Sequence, residues 1–304
     1  MNILITGANG FIGNAVSNYF FVQNHHVIRW VKKNDKGEGK AVRLEDWASV
    51  LENLKSISPD IIIHCAGAAN VQDSIKRPNE DFINNVQATH NLIFAMKKLE
   101  MRSRLVFLSS AGVYGNPPFL PVSERAPLNS MSPYALHKQL CEDICIYFKV
   151  NYGMDIKIAR IFSAYGVGLQ KQIFWDMFCK LKKTGRLDMY GTGDESRDYI
   201  YIDDLVKAIF LIATAESDES IFNVGNGIEI KISEAARLFA KEFHLDESSI
   251  CFNQYVREGD PNHWKADVTL LKELQYHQSI SFEEGIKKYC DWLKEGKYES
   301  EIFY

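Results

Sequence analysis

The stretch MNILITGANGFIGNAV, residues 1–16, decides the fold. Asn2 to Thr6 has the length and apolar character of a buried strand, and Phe11 to Phe21 carries apolar residues at a helical period. His26 to Val31 follows as a second apolar run of strand length. A strand, a helix and a second strand within about thirty residues form a βαβ unit, which predicts a parallel sheet with helices packed on its faces.

Three glycines, Gly7, Gly10 and Gly13, occupy the turn between the first strand and the helix. The first permits a tight turn, the second lets a pyrophosphate approach the backbone, and the third lets the helix pack closely on the strand. The start of the helix then faces the phosphates with unpaired N–H groups and the positive end of its dipole. The turn therefore predicts a dinucleotide site. Its expected contacts are Gly7, Asn9, Gly10, Phe11, Ile12 and Gly13.

The spacing GxxGxxG in TGANGFIG resembles the extended branch of the short-chain dehydrogenase/reductase superfamily, the NAD-dependent epimerases and dehydratases that modify nucleotide sugars. The resemblance continues along nearly the whole chain. It implies an α/β fold, namely a Rossmann-type doubly wound parallel sheet with a smaller C-terminal substrate-binding lobe. We therefore expect a cofactor domain over 1–165, a return segment near 201–225, and a nucleotide-sugar lobe built mainly from 166–304.

The end of the second strand bears on the choice between NAD and NADP. NAD-binding members of this family usually carry an acidic residue there, which holds the adenosine ribose hydroxyls. This chain has Val31, followed by Lys32 and Lys33. A carboxylate would repel a 2′-phosphate, whereas two ammonium groups would attract it. We expect NADP, and the nearby Asp35 keeps NAD as the alternative.

Two further segments resemble the cofactor site of the family. The strand Asp60 to His64 leads into a turn of small residues on which the dinucleotide would lie. The expected contacts of that turn are Ala66, Gly67 and Ala68. Asn85 resembles an asparagine that supports the active site from a helix, with a helix-surface amide as the alternative.

The catalytic hypothesis rests on a serine and a tyrosine–lysine pair. The strand Arg104 to Leu108 leads to Ser110, and Tyr134 and Lys138 follow with the spacing YxxxK. Side chains four residues apart share one face of a helix, so the lysine can lie beside the tyrosine. A tyrosine with a pKa of about 10 is a poor base at neutral pH, but a nearby ammonium and an oxidised nicotinamide favour its phenolate. Ser110 would orient the same substrate oxygen, which suffices for reversible hydride transfer at a secondary alcohol.

The two residues after Ser110 restrict the chemistry. The nucleotide-sugar dehydratases of this family carry Asp and Glu there as acid and base, whereas this chain has Ala111 and Gly112, which cannot move a proton. We expect an NADPH-dependent reductase of a nucleotide-linked 4-keto-(6-deoxy)hexose, because NADP is the usual donor in reductive biosynthesis. The alternative is a 4-epimerase with tightly bound NAD. A third possibility, a regulator that senses NADP without turnover, conflicts with the intact tyrosine–lysine pair.

The substrate residues follow from the resemblance alone. Ser163 stands where the family usually has an asparagine that helps to hold the diphosphate. Arg197 and Arg257 lie in two segments that resemble its phosphate contacts, and Asp260 would contact the nucleotide ribose. A planar guanidinium suits phosphate because its fork pairs with two oxygens. The base pocket would form near 186–190, and the sequence there does not reveal the base.

The composition excludes several classes of protein. The chain has 304 residues, a net charge of −4 and only short basic clusters, which argues against nucleic-acid binding. No apolar run approaches the ~18 residues of a membrane span, and residues 1–20 do not have the pattern of a signal peptide. The six cysteines lack zinc-site spacing, so we expect no metal and reduced thiols in the cytoplasm. By resemblance, the helices Glu80 to Leu99 and Tyr134 to Val150 predict a homodimer, and polysaccharide biosynthesis is the expected setting.

Overall fold

The structure is a computed structural model that describes residues 1–32, 37–255, 259–296 and 298. Its strands are short and mostly apolar. The described residues form thirteen strands: Asn2–Thr6 (β1), His26–Val31 (β2), Lys40–Ala41 (β3), Ile61–His64 (β4), Arg104–Ser110 (β5), Ile156–Ile161 (β6), Ser163–Tyr165 (β7), Leu187–Met189 (β8), Ser196–Arg197 (β9), Tyr199–Tyr201 (β10), Ile221–Val224 (β11), Ile230–Lys231 (β12) and Ile250–Phe252 (β13).

The helices alternate with these strands along the first two thirds of the chain. The described α-helices are Phe11–Val22 (α1), Trp47–Lys55 (α2), Val71–Lys76 (α3), Pro78–Phe82 (α4), Ala88–Lys98 (α5), Pro133–Tyr152 (α6), Gln172–Thr184 (α7), Ile202–Thr214 (α8), Ile232–Glu242 (α9), Thr269–Glu273 (α10) and Phe282–Lys294 (α11). A π-helical turn, Ile83–Gln87, joins α4 to α5 without a break.

Seven strands form one parallel sheet in the order β11-β6-β5-β4-β1-β2-β3. The chain runs from β1 to one edge of the sheet and then returns to build the other side, so the strand order reverses between β1 and β4. Ligands of doubly wound sheets bind at such a switch point, beyond the carboxyl ends of the strands. The predicted Rossmann-type sheet is confirmed.

The two faces of the sheet carry separate cores. Ile3 and Ile5 of β1 belong to the core that α1 and α8 cover, whereas Leu4 between them belongs to the core beneath α2, α5 and α6. This alternation follows from the two-residue period of a strand. Both faces are therefore buried, which explains why the strands have near-continuous apolar sequences.

The rest of the chain forms a smaller region at one end of the sheet. Three two-stranded pairings, β10–β7, β12–β9 and β13–β8, combine there with α7, α9 and α11. Its centre is a cluster of aromatic rings in which Tyr199 stacks on Phe282 with centroids 4.9 Å apart. Between these pieces, α8 and β11 return to the large sheet. The domain boundary near residue 165 stays a prediction.

Two local differences from the sequence prediction concern the site. The strand expected over Arg104 to Leu108 continues to Ser110, because Ser109 and Ser110 still pair with Arg160 and Ile161 of β6. The helix expected from residue 80 to 99 contains the π-helical turn, which apolar periodicity did not reveal. Of the helices in the described ranges, none has the length and apolar character needed to cross a lipid bilayer.

Candidate active site

A cleft of about 740 Å³ opens over the carboxyl ends of the central strands and is shared with the smaller region. It brings together many of the residues that the sequence singled out. Those that line it are Ile12, Gly67, Ala68, Ser110, Tyr134, Lys138, Ser163, Arg197 and Asp260. The predicted residues Lys33 and Arg257 lie outside the described residues. Among the described residues, no cluster of His, Cys, Asp or Glu could hold a metal ion.

The glycine turn is packed so tightly that side chains would not fit. Gly7 has a φ of +64°, and a Cβ there would lie 2.7 Å from the backbone N and Cα of Ala66. A Cβ on Gly13 would lie 2.2 Å from the carbonyl oxygen of Gly7. The start of α1, the end of β1 and the turn at Ala66 therefore meet at backbone distance.

The N-terminus of α1 is open to an anion. Its N-cap is Gly10, which supplies no side-chain cap, and its first turn has no acidic residue. The first N–H groups of a helix need acceptors from outside the helix. A phosphate would meet both this need and the helix dipole, so the residues of the turn fit a pyrophosphate.

The adenosine end of the predicted cofactor site contains an arginine that the sequence analysis missed. Nη2 of Arg29, from β2, donates to the carbonyl oxygen of Ala8 at 2.8 Å, to Oδ1 of Asn9 at 3.0 Å and to Oδ1 of Asn14 at 3.1 Å. Val31, which ends β2, is buried in the core. The arginine inside the apolar run HVIRWV was visible in the sequence, but its contacts with the glycine turn depend on how β2 packs beside β1.

Asn85 lies in the π-helical turn and faces inward. Its side chain is buried, so the helix-surface alternative is wrong. Nδ2 donates to the carbonyl oxygen of Asp81 at 3.1 Å, while Oδ1 has no hydrogen-bond partner within the described part of the chain. A Cβ on Gly67 would lie 2.5 Å from that Oδ1 and 3.6 Å from Nζ of Lys138. A donor on a bound group beside Gly67 would satisfy the orphaned oxygen, so Asn85 fits the predicted cofactor site.

The backbone around Tyr134 is fixed by two hydroxyl groups. Ser132 is the N-cap of α6, and its Oγ accepts a hydrogen bond from the N–H of Ala135 at 3.2 Å. Oγ of Ser74, from α3, accepts from the N–H of Tyr134 at 3.1 Å. These bonds satisfy two of the N–H groups that the first turn of a helix leaves free. Tyr134 therefore enters the cleft from a firmly anchored helix start.

Ser110 and Tyr134 approach a common point of the cleft. A Cβ on Gly112 would lie 3.3 Å from Oγ of Ser110 and 3.9 Å from Cε1 of Tyr134. Ser110 Oγ also accepts a hydrogen bond from the N–H of Gly112 at 3.1 Å. One turn further along α6, Nζ of Lys138 donates to the carbonyl oxygen of Leu108 at 2.9 Å. The hydroxyl of Ser110 and the ring of Tyr134 thus meet at Gly112, and the ammonium of Lys138 lies beside Gly67 in the lining of the same cleft.

The opposite wall of the cleft carries a guanidinium. Arg197 of β9 lies 5.5 Å from the ring centroid of Trp264, and its Nη1 donates to the carbonyl oxygen of Ser196 at 2.8 Å. Burial lowers the pKa of Arg197, and no ion pair between described residues involves it. The charges of Asp260 and Glu195 act in the opposite direction on this pKa, so both carboxylates lie near the guanidinium. A half-buried guanidinium with its planar fork suits an anionic ligand such as a diphosphate. Ser163 and Asp260 lie in the same lining.

Asp198 connects the backbone segments at the base of this wall. Its carboxylate accepts hydrogen bonds from the N–H groups of Asn226 at 2.8 Å, Gly227 at 2.8 Å and Ala266 at 3.0 Å. Burial raises the pKa of Asp198 to about 6, against the effect of these bonds. Asp198 therefore ties the strand end that carries Arg197 to two other segments of the chain.

The far end of the cleft, beside the segment 186–190, contains residues that the sequence analysis did not find. Trp175, Asp176 and Cys179 of α7 line it together with Met189 and Tyr190. Trp175 and Cys179 are four residues apart and so share one face of the helix. That spacing was visible in the sequence, but which face of α7 meets the cleft depends on tertiary packing.

Comparison with known proteins extends these observations. The model of the NAD dependent epimerase/dehydratase family matches residues 3–225. A putative UDP-glucose 4-epimerase of Methanocaldococcus jannaschii is 29% identical over 309 residues, covering 96% of this chain and 98% of that relative.

Two solved structures are similar over their full length. The UDP-glucose 4-epimerase of Thermotoga maritima with UDP-glucose has a TM-score of 0.89 and 25% identity, covering 98% of this chain and 100% of the other. The UDP-N-acetylglucosamine 4-epimerase of Methanobrevibacter ruminantium with UDP-N-acetylmuramic acid has a TM-score of 0.85 and 25% identity, covering 97% of this chain and 98% of the other.

Proposed function

The chain belongs to the NAD dependent epimerase/dehydratase family, and from that premise we propose that it moves a hydride at C4 of a nucleotide-linked hexose. The observation that carries the proposal is the convergence of Ser110 and Tyr134 on one point, with Lys138 on the same helix as Tyr134. Ala111 and Gly112 follow Ser110, so no side chain there can serve the acid–base elimination of water.

The residues of the chain divide the work at the reacting carbon. When bound, the nicotinamide dinucleotide accepts or donates the hydride at C4. Tyr134 gives or takes the proton on O4, and Ser110 donates a hydrogen bond that orients the same oxygen. The ammonium of Lys138 stabilises the phenolate that Tyr134 forms when it has lost its proton. The glycine turn and Asn85 would hold the cofactor, and Arg197 would hold the diphosphate of the substrate.

We propose that the enzyme is an NADPH-dependent reductase of a nucleotide-linked 4-keto-(6-deoxy)hexose. The support comes from the adenosine end of the site. Val31 offers a ribose no carboxylate, Arg29 brings a guanidinium to the glycine turn, and Lys32 follows on the surface. This environment attracts a 2′-phosphate rather than a bare ribose.

A 4-epimerase with tightly bound NAD is the second candidate. The two similar solved structures and the relative from Methanocaldococcus jannaschii are all named 4-epimerases. Ser110, Tyr134 and Lys138 would have the same roles in an epimerase, because an epimerase takes the C4 hydride and returns it to the opposite face of the sugar. The two candidates differ in whether the cofactor leaves after each turnover.

The state of the cofactor therefore tests the two candidates. The protein is purified, denatured and examined for released nucleotide, and emptied protein is titrated with NADPH and NADH. A protein that prefers NADPH and exchanges it freely supports the reductase, and consumption of NADPH with a panel of nucleotide 4-keto-6-deoxyhexoses then identifies the sugar. Retained, near-stoichiometric NAD supports the epimerase.

The substitution Tyr134→Phe tests the chemistry common to both candidates. We expect turnover to fall by about two to four orders of magnitude while cofactor affinity is retained, because only the proton carrier is lost. Tyr152→Phe is the matched control, since it removes a hydroxyl from the exposed end of the same helix. Unchanged turnover of Tyr134→Phe would remove this residue from the mechanism.

We also propose that the protein forms a homodimer in the cytoplasm. Apolar side chains are exposed along the α4–α5 run and on α6, where a second copy could cover them. They include Phe82, Ile83, Phe94, Leu136, Tyr147 and Val150. All six cysteines are free thiols, as is usual in a reducing compartment. Light scattering of the purified protein measures the oligomeric state directly.

A further inference from the structure

A buried carboxylate lies on the same face of α6 as the catalytic lysine. Lys138 and Glu142 are four residues apart, and both are almost fully buried. Side chains at this spacing are neighbours on a helix, and opposite charges there attract each other. Nevertheless, none of the ion pairs between described residues joins Lys138 to Glu142. Each of the two groups instead has partners elsewhere in the fold.

Glu142 is held by groups from two neighbouring strands. Arg160 of β6 donates from Nη2 to Oε2 at 2.6 Å and from Nε to both carboxylate oxygens at 3.1 Å. The hydroxyl of Ser109, on β5, donates to Oε1. Ser109 and Arg160 are partners in the β5–β6 register, so both donors reach the carboxylate from adjacent points of the sheet.

Arg160 is itself immobilised. Its Nη1 donates to the hydroxyl of Tyr114 and to the carbonyl oxygen of Glu124, both at 2.8 Å. The hydroxyl of Tyr114 donates to Oδ1 of Asn223, on β11, at 2.7 Å. Burial acts to lower the pKa of Arg160, but the hydrogen bonds and charge of Glu142 raise it overall. The guanidinium is therefore a permanent, fixed partner for the carboxylate.

The Lys138 ammonium lies among groups that do not compete for its charge. It donates to the carbonyl oxygen of Leu108 and lies 4.9 Å from the ring centroid of Phe107. Burial, and then the charge of Lys138, lower the pKa of His64 to about 3, so this imidazole stays neutral. Burial raises the pKa of the Cys65 thiol to about 12 even against the charge of Lys138, so this thiol also stays neutral.

Among the described residues, the helices around Lys138 contribute one further carboxylate, that of Asp81, and two further thiols, those of Cys141 and Cys145; burial raises the pKa of the Cys145 thiol well above its usual value. Asp81 of α4 pairs with His137, whose Nδ1 lies 2.6 Å from Oδ2. Burial raises the pKa of the Cys141 thiol, which therefore stays protonated. Asp81 is thus occupied by the histidine next to Lys138, and the carboxylate on the helical face of Lys138 is Glu142.

We propose that Arg160 and Ser109 sequester the carboxylate of Glu142 and so keep the ammonium of Lys138 available to Tyr134. The three residues are positioning residues, since their proposed effect on the reaction acts through Lys138; Ser109 also lies in the lining of the cleft. This inference rests on the proposed catalytic roles of Tyr134 and Lys138. Without Arg160, Glu142 is free to pair with Lys138, and the ammonium then stabilises the Tyr134 phenolate less.

The test uses Arg160→Met, Glu142→Gln and the double variant Arg160→Met/Glu142→Gln. Each protein is prepared with and without Tyr134→Phe, and its phenolate absorbance is titrated against pH. The difference between the two titrations isolates the ionisation of Tyr134 and needs no substrate. Turnover is measured alongside with the best nucleotide sugar of the panel described above.

We expect Arg160→Met to move the ionisation midpoint of Tyr134 upward by about one pH unit, which is a tenfold change in the fraction of phenolate. The double variant is expected to return to the wild-type midpoint, because no carboxylate remains to capture Lys138. Glu142→Gln alone is expected to stay near wild type. Removing both partners of a buried ion pair can also restore stability, so unfolding is measured on the same proteins. A purely structural role would change stability and leave the midpoint of Tyr134 in the folded protein unmoved.

Two results would overturn the inference: an unchanged midpoint in Arg160→Met, or a double variant shifted as far as Arg160→Met. If Arg160→Met does not fold, Arg160→Gln replaces it, since it also removes the cation but keeps a polar side chain, and the same upward shift is expected. An unshifted Arg160→Gln would equally refute the inference. If the wild type turns over no nucleotide sugar of the panel, the proposed function is refuted, whereas the titration result is unaffected.

Discussion

The substitution Gly7→Ala carries two costs at the glycine turn: the strain of a positive φ and the lack of space for a side chain. Gly7 has a φ of +64°, a conformation that costs an L-residue about 1–2 kcal/mol. The new Cβ would also lie 2.7 Å from two backbone atoms of Ala66, and such overpacking costs about 1–3 kcal/mol more. We therefore expect Gly7→Ala to lower the free energy of unfolding by about 2–5 kcal/mol.

Gly153 provides the matched control. It ends α6 with a φ of +65°, and a Cβ there would meet nothing within 4 Å. Gly153→Ala should therefore cost only the backbone strain of about 1–2 kcal/mol. Both substitutions restrict the unfolded chain equally, so that contribution cancels between them. The difference in cost measures the crowding at the turn.

Urea unfolding followed by tryptophan fluorescence measures both costs, and titration with NADPH measures the site. Gly7→Ala is expected to weaken cofactor binding at least tenfold, because the turn at Ala66 must move, whereas Gly153→Ala is expected to bind like the wild type. Equal costs in the two variants, or full cofactor affinity in Gly7→Ala, would refute the view that glycine is needed here for close backbone approach.

Two further substitutions probe the cleft. Gly112→Ala places a Cβ 3.3 Å from Oγ of Ser110, so we expect kcat to fall about tenfold with unchanged cofactor affinity, and an unaltered kcat would contradict the role of Ser110. Asp198→Asn tests the buried carboxylate, whose pKa burial raises from 3.8 to about 6. A raised pKa contributes stability that is complete below about pH 4 and lost as the pH rises through about 6. The asparagine variant has no titrating group at this position, so it loses no stability in this way. Its free energy of unfolding minus that of the wild type should therefore rise by on the order of 3 kcal/mol between about pH 4 and pH 7. A pH-independent difference would contradict this.

The parts of the fold that local sequence determines were predictable. The strands at Asn2–Thr6, His26–Val31 and Ile156–Ile161 have the predicted bounds, because strands of a parallel sheet covered by helices have short, mostly apolar sequences. The turn at Gly7 and Gly13 was equally visible, since tight backbone approach admits no other residue.

The features that depend on contacts between distant residues were not predictable. Arg29 reaches Asn9 and Asn14 only because β2 lies beside the glycine turn, and sequence patterns do not give side-chain direction. Arg197 and Trp264 are far apart in the chain, so their contact appears only in the folded state. The π-helical turn that turns Asn85 inward leaves no trace in a period of apolar residues.

The position of β11 has a consequence for how the protein is made. Ile221–Val224 pairs with β6, whose own residues leave the ribosome about sixty residues earlier. Until β11 emerges, Ile158 and Ile161 line an unpaired apolar edge, which is a template for pairing with other chains. Asn223 also completes the hydrogen bonds of Tyr114, so the buried network around Arg160 matures at the same moment. Vectorial synthesis therefore postpones both the closure of the sheet edge and the completion of the buried network around Arg160 until about three quarters of the chain has been translated.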